Sequence, residues 1–361
     1  ASYGTTSVGP DTVPHSCESF RNSARVPESI ASWAQEAGMW TGVISTARIT
    51  HASPAALYAH SPWREWEWAV PEENQYADDP CIDIAQQMIE TAPGNELRVI
   101  LGGGRKSFYS ARSDGRNLLE EWQGLPGNRA YISTLEEFEN FDIDSADYVM
   151  GLFQESHMMY QFDEIADFDK DQPSIQDLVE LAVRFLSKSP NGYYLFVEGA
   201  LIDIALHMNE AHLALEEERM FHQTIKNTAE QVGDDTLIVV TADHTHAWTT
   251  NGYPDRHMDV LDVFDEKIDD GLPITFFVFM TGPSAQKNHP DDTARRDLSD
   301  APTDDAHFLI SAFIPTSIGY HGGEDVGIWS MGPQSTLFTG SFENNYIPHA
   351  MAAALCIGPS A

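Results

Sequence analysis

Short apolar runs, many of them β-branched, alternate along this chain with longer stretches whose apolar residues recur every three or four positions. The runs cover residues 41–46, 97–101, 148–153, 193–197 and 237–240. Each is too short for a stable helix and apolar at consecutive positions, which predicts strands buried on both faces. Helical patterns separate them at 28–37 (closed by Gly38), 82–89, 118–122, 175–186 and 210–231. This alternation predicts an α/β fold: a three-layer sandwich with a central, mostly parallel sheet and helices on both faces. The rhythm breaks over 251–320, a segment rich in Asp, Pro and Gly with one strand candidate at 274–280. The expected organisation is an α/β domain over 1–250, an inserted small subdomain over 251–320, and a return to the α/β domain over 321–361. That return includes a strand candidate at 326–329 and a final helix at 347–355. No internal repeat or low-complexity tract interrupts the pattern.

The strand ends carry the chemistry. The run 237–240 leads into Thr241-Ala242-Asp243-His244-Thr245-His246, and the run 193–197 ends on Glu198. In a parallel sheet such positions lie at the carboxyl edge, where ligands collect. Asp203 and His207 follow Glu198 at spacing i, i+4, on one helical face, where both side chains reach one cation. His321 lies in Tyr320-His321-Gly322-Gly323-Glu324-Asp325. Ser53 follows strand 41–46 and suits magnesium, while Arg64 is shaped to clamp a phosphate in two places. Taken singly, each has an ordinary reading: an Asp-His pair caps a loop, an i, i+4 pair faces solvent, an exposed Arg is solvated. Their coincidence at strand ends favours a site of imidazole and carboxylate ligands, which suits zinc. Gly102-Gly103-Gly104-Arg105-Lys106 lacks the spacing of a phosphate-binding loop and reads as a tight strand-to-helix turn. Trp63 and Trp248 read as core packing, or as an apolar pocket beside the ligands.

Composition narrows the partners. Hydrophobic residues make up 42% of the 361, enough for a substantial core. Lys and Arg number 20 against 56 Asp and Glu, a formal charge of −36, which disfavours nucleic acid and anionic membrane surfaces. Such a surface suits salty or calcium-rich surroundings. No apolar run is long enough to span a bilayer, and the first residues read as a processed start. Cys17, Cys81 and Cys356 allow one intrachain disulfide with one thiol left over.

HASPAALYAH (51–60), LGGGRK (101–106), FVEG (196–199), TADHTH (241–246), Gly252-Tyr253-Pro254 and HGGEDV (321–326) together resemble the animal-type alkaline phosphatases, in the same order along the chain. The segment Asn345-Tyr346-Ile347-Pro348-His349 and Cys356 extend the likeness almost to the last residue. The resemblance implies one zinc held by Asp203, His207 and His321, a second held in part by Asp243 and His244, and a magnesium held by Ser53 and Glu198. Arg64 matches the family's phosphate-binding arginine. It further implies a Cys17–Cys81 disulfide, a homodimer, a phosphomonoester substrate, and a crown-like inserted subdomain at 251–320. The implied location is extracellular or the cell surface, and the family's lipid-anchor signal would lie beyond residue 361. The implied mechanism is attack by a zinc-activated serine on the phosphomonoester, with a covalent phosphoserine later hydrolysed.

The family's nucleophilic serine and the aspartate bridging the second zinc and the magnesium match no position in this chain. The expectation is a separate N-terminal fragment of the same protein that supplies both, together with a central strand. The zinc motif carries Leu201, Ile204 and Leu206 where the family is polar. The calcium site is matched only in part, by Phe153 and Asp169, with Gln154 at a carboxylate position. Two functions follow: a secreted, metal-dependent phosphomonoester hydrolase active with its N-terminal piece, or a non-catalytic relative that binds metal, an apolar ligand or a partner protein. Retention of every ligand assignable to this segment favours the first.

Overall fold

The computed structural model describes residues 26–71, 81–166, 171–263, 269–285 and 297–358. In chain order the elements that frame the site are α1 (Ile30–Glu36), β1 (Trp40–Arg48), α2 (Ala52–Ala55), α3 (Ile84–Glu90), β2 (Val99–Gly103), α4 (Leu118–Gln123), β3 (Arg129–Ile132), α5 (Leu135–Glu139), β4 (Tyr148–Leu152), α6 (Gln161–Ala166), α7 (Ile175–Leu186) and β5 (Tyr193–Glu198). They continue as α8 (Leu201–Met208), α9 (Ala211–Gln231), β6 (Ile238–Thr241), β7 (Thr245–His246), β8 (Trp248–Thr250), β9 (Phe277–Gly282), β10 (Ala312–Pro315), β11 (His321–Gly322) and β12 (Ile328–Met331). A last helix spans Tyr346–Leu355.

Five parallel strands form the central sheet in the order β3-β4-β2-β1-β5. Side chains alternate between its faces, so successive residues of one strand enter different cores. Val43, Ile100 and Met150 pack under α1, α3, α4 and the last helix. Ile44, Val99, Leu101 and Val149 pack under α7. This is the sandwich expected from the apolar runs. Local capping agrees with it: Asp83 closes a capping box with Gln86 at the start of α3, and Ser174 does so with Asp177 at the start of α7.

Two features differ from the sequence expectation. The run 237–240 was expected as a buried parallel strand. It forms β6, which pairs antiparallel with β12 in a separate two-stranded ribbon and is only half-buried. Apolarity marks a strand but does not choose its partner, and here the partner lies far along the chain. The second difference is β3, an unexpected edge strand whose Arg-Ala-Tyr-Ile sequence is too polar to stand out.

Among the described residues, β5 pairs only with β1 and β6 only with β12, leaving one edge of each without a strand. All six β5 residues are half-buried, whereas its neighbour β1 is buried through Thr41 to Ala47. A smaller sheet, β10-β9-β8, packs Phe279, Ile310 and Ala312 against Ala205, Leu206 and Leu213 of α8 and α9. Trp248 stacks there on Phe277 and Phe279, so it serves packing. The glycine run acts as a tight turn: Gly104 has φ +97°, and a Cβ on it would come within 2.8 Å of the Arg48 Cβ.

Candidate metal centre

The site begins where β5 ends. Gly199 and Ala200 lead directly into α8, which presents Asp203 and His207 on one face. Leu201 and Leu206 are buried and Ile204 packs on the core, so the apolar residues between the ligands serve the fold. The His207 Nδ1–H donates to the Gly319 carbonyl at 2.5 Å, which leaves its Nε2 lone pair free to face the site.

His321 arrives on β11, which pairs with β7 so that His321 lies opposite His246. Its Nε2 stands 3.1 Å from the Nε2 of His207. The Asp203 carboxylate completes the group, with Oδ2 3.4 Å from His207 Nε2 and Oδ1 3.7 Å from His321 Nε2. Burial, then the neighbouring His244, pushes His321 down to about 4 and so keeps it neutral. Burial alone would raise Asp203, but the hydrogen bond from His246 and the surrounding imidazoles hold it below the usual carboxylate range.

The second predicted pair adjoins the first. His244 Nε2 lies 3.3 Å from Asp243 Oδ2 and 3.8 Å from Asp203 Oδ1, and its ring stacks on His321 with centroids 3.4 Å apart. The magnesium candidates also meet. Ser45 Oγ donates to Glu198 Oε2 at 2.5 Å, and the Ser53 hydroxyl bonds the same carboxyl. Burial, helped by the charges of Asp243 and Asp203, pushes Glu198 up to about 7 against both hydroxyl hydrogen bonds. All three ligand sets therefore share one electrostatic neighbourhood.

Arg64 is half-buried on the segment after α2, and its terminal nitrogen lies 3.3 Å from His51 Nε2. A guanidinium only donates, so His51 Nε2 accepts and the ring proton sits on Nδ1. Burial, followed by the charges of Arg64 and Arg48, drives His51 down to about 3. The neutral ring orients Arg64 without adding charge.

One residue escaped the sequence reading. His246 is buried, its Nε2 lies 2.6 Å from Asp203 Oδ1, and its Nδ1 has no partner. With Asp203, His207 and His321 it forms a group whose ligand atoms all lie within 4.8 Å of one another. Its signal was the His-x-His spacing of His244 and His246, which puts both rings on one side of an extended segment.

The donor set fits zinc. A tetrahedral ion with ligand bonds of about 2.0–2.1 Å sets its ligands roughly 3.3 Å apart. The separations of 3.1, 3.4 and 3.7 Å among His207, His321 and Asp203 bracket that edge. Other expected features carry less. Gln154 reaches Asp171 at 3.5 Å and Phe153 is buried, while Asp169 lies outside the described residues. Cys17 also lies outside them, and Cys356 is a free, exposed thiol.

The alkaline phosphatase family model matches residues 9–357. The membrane-bound alkaline phosphatase of Bombyx mori is 36% identical over 380 aligned positions, which cover 99% of this chain and 68% of that protein. The alkaline phosphatase of Gadus morhua is 34% identical over 376 positions, covering 96% of this chain and 76% of its own. Among solved structures, a mutant alkaline phosphatase of the Antarctic bacterium TAB5 with Mg bound in its M3 site superposes with a TM-score of 0.66. It is 24% identical, covering 98% of this chain and 80% of that one, and establishes likeness of fold.

Proposed function

The chain belongs to the alkaline phosphatase family of phosphomonoesterases, and from that premise we propose that it carries the metal-holding and phosphate-holding part of a metal-dependent phosphomonoester hydrolase. The observation that carries this reading is the facing of His207 and His321 Nε2 at 3.1 Å beside Asp203, a spacing suited to zinc. Asp203, His207 and His321 would hold one zinc, Asp243 and His244 the second, and Ser53 with Glu198 a magnesium. When bound, these ions supply Lewis acidity, activate an oxygen nucleophile and neutralise charge on the phosphoryl group.

The chain's own side chains do the rest. Arg64 presents paired N–H donors to two phosphate oxygens, and neutral His51 accepts from it and fixes its plane. Gly319 holds His207 in the tautomer that offers Nε2, and His246 holds Asp203. Glu198 holds a proton near neutral pH until a cation displaces it.

The nucleophilic serine and bridging aspartate are proposed to come from an N-terminal segment that adds a strand at the unpaired edges of β5 and β6. The half-buried residues of β5 support this, because an open strand edge beside apolar surface is unfavourable. Residues 251–320 are taken as the inserted subdomain, Cys17 and Cys81 as a disulfide, and the assembly as a homodimer. An extracellular or cell-surface location accords with the Bombyx relative. No helix among the described residues is long and apolar enough to cross a membrane.

The test is hydrolysis of p-nitrophenyl phosphate at alkaline pH by native material, with intact-mass analysis for a companion polypeptide. Turnover with zinc and magnesium, lost on chelation and restored by both ions, is expected. Absence of turnover in metal-replete native material overturns the reading.

A further inference from the structure

A buried ion pair beneath the phosphate site belongs to neither the sheet core nor the metal ligands. Glu67 is 1% exposed. Arg48 Nε lies 3.1 and 2.9 Å from its two oxygens, Arg48 Nη2 lies 2.7 Å from Oε1, and Thr50 Oγ1 donates to Oε2 at 2.5 Å. We propose that Glu67 is a positioning residue for Arg64 and for the turn bearing His51 and Ser53, acting through Arg48 and Thr50.

The link is one of connectivity. Arg48 is the last residue of β1, and Thr50 immediately precedes His51. Arg64 stands three residues before Glu67 on a segment whose backbone is held by α3: Ile84 and Ala85 donate to the Trp66 and Glu67 carbonyls at 2.9 and 3.0 Å. Those bonds hold the segment against α3 but do not tie it to the end of β1. The Glu67 carboxylate makes that tie, and so sets the register between Arg64 and His51. Arg48 extends it on the other side, with Nη1 2.7 Å from His157 Nε2 and the His157 ring edge-on to His51 at 5.4 Å.

Charge points the same way. Arg48 and Arg64 both act on His51. Neutralising Arg48 with Glu67 leaves Arg64, which faces no carboxylate at ion-pair distance among the described residues, as the cation open to a phosphate. A buried pair of this kind adds little net stability, because desolvation offsets most of the attraction. Its contribution is geometry.

This inference rests on the function proposed above, and the test separates the two. Affinity for inorganic phosphate is measured by calorimetry on the metal-loaded protein for wild type, Glu67→Gln, Arg64→Ala and the double variant, with thermal midpoints alongside. Glu67→Gln is expected to weaken phosphate binding about tenfold or more, yet to have almost no further effect in the Arg64→Ala background, where its loss of stability persists. Thr50→Val, which leaves the ion pair intact, is the milder variant should Glu67→Gln not fold, and is expected to weaken binding about threefold. A wild type that binds no phosphate overturns the proposed function and this inference with it. Wild-type binding that survives Glu67→Gln and Thr50→Val within twofold overturns the positioning role alone, as do Glu67→Gln and Arg64→Ala effects that simply multiply.

Discussion

Replacing His246 by Gln tests whether the residue absent from the sequence reading belongs to the zinc centre as a partner or as a ligand. Its Nε2 lies 2.6 Å from Asp203 Oδ1 in a buried setting, the length of a charge-assisted hydrogen bond. Such a bond to a charged group contributes about 1.5–3 kcal/mol, which at about 1.4 kcal/mol per decade corresponds to roughly 10–150-fold in affinity. Partners that orient metal ligands typically contribute about 10–100-fold, which agrees. Zinc affinity of His246→Gln is therefore expected to fall by one to two decades. Competition against a chromophoric chelator, with bound zinc measured after dialysis at fixed free zinc, gives the number. A change below threefold refutes the orienting role. A loss beyond about four decades refutes it in the opposite direction and makes His246, through its unpartnered Nδ1, a direct ligand.

Two further outcomes follow from other buried groups. His157 is held down to about 4, first by burial and then by the charge of Arg48, below its usual 6.5. Its stabilising contribution is thus complete above about pH 6.5 and lost as pH falls toward 4; with its partial exposure discounted it amounts to about 2 kcal/mol, and urea denaturation is expected to show that acid limb flattened in His157→Gln. Asp83→Ala removes the α3 cap and one partner of the buried Arg112, whose side chain is 1% exposed. The expected cost is about 3–5 kcal/mol, read as a lower urea midpoint at unchanged slope, and a loss under 1 kcal/mol counts against the pair.

Much of this molecule is legible in one dimension because its sheet is buried on both faces. That burial makes β1, β2 and β4 largely apolar runs, and it makes the ligands conspicuous as polar residues where such runs stop. Legibility fails where the determinant is a pairing. Nothing local in residues 237–240 announces that β6 will turn antiparallel to β12, and β3 hides because an edge strand can be half polar. The same limit applies to the site. Asp203 and His207 share a helical face, so their spacing reveals them, whereas His246 meets Asp203 across the chain and Glu67 meets Arg48 across a loop. A buried Glu in Glu65-Trp66-Glu67-Trp68 looks like its exposed neighbour until the fold separates them.

The charge of the centre bears on how it would meet a phosphate. His321 and His51 are held down to about 4 and 3, so at working pH they add no positive charge. Apart from the imidazoles, the ionisable groups proposed to hold metals and phosphate are Asp203, Asp243, Arg64 and Glu198, the last of which burial keeps protonated up to about pH 7. Two aspartates already outweigh one guanidinium, and their charges add to the upward push that burial exerts on Glu198. The surface cannot offset it, since the chain carries a formal −36 and screening confines distant charges to about 8 Å at physiological salt. A phosphomonoester dianion therefore meets net repulsion from the ligand set alone. The two zincs and the magnesium proposed above would reverse the sign, which would make the cations a condition for substrate binding as well as for chemistry. Ionised imidazoles would also have reversed it, but a protonated nitrogen has no lone pair for a metal. With His321 and His51 neutral, the sign of the site would be left to the proposed metals, and phosphate affinity would then follow metal content.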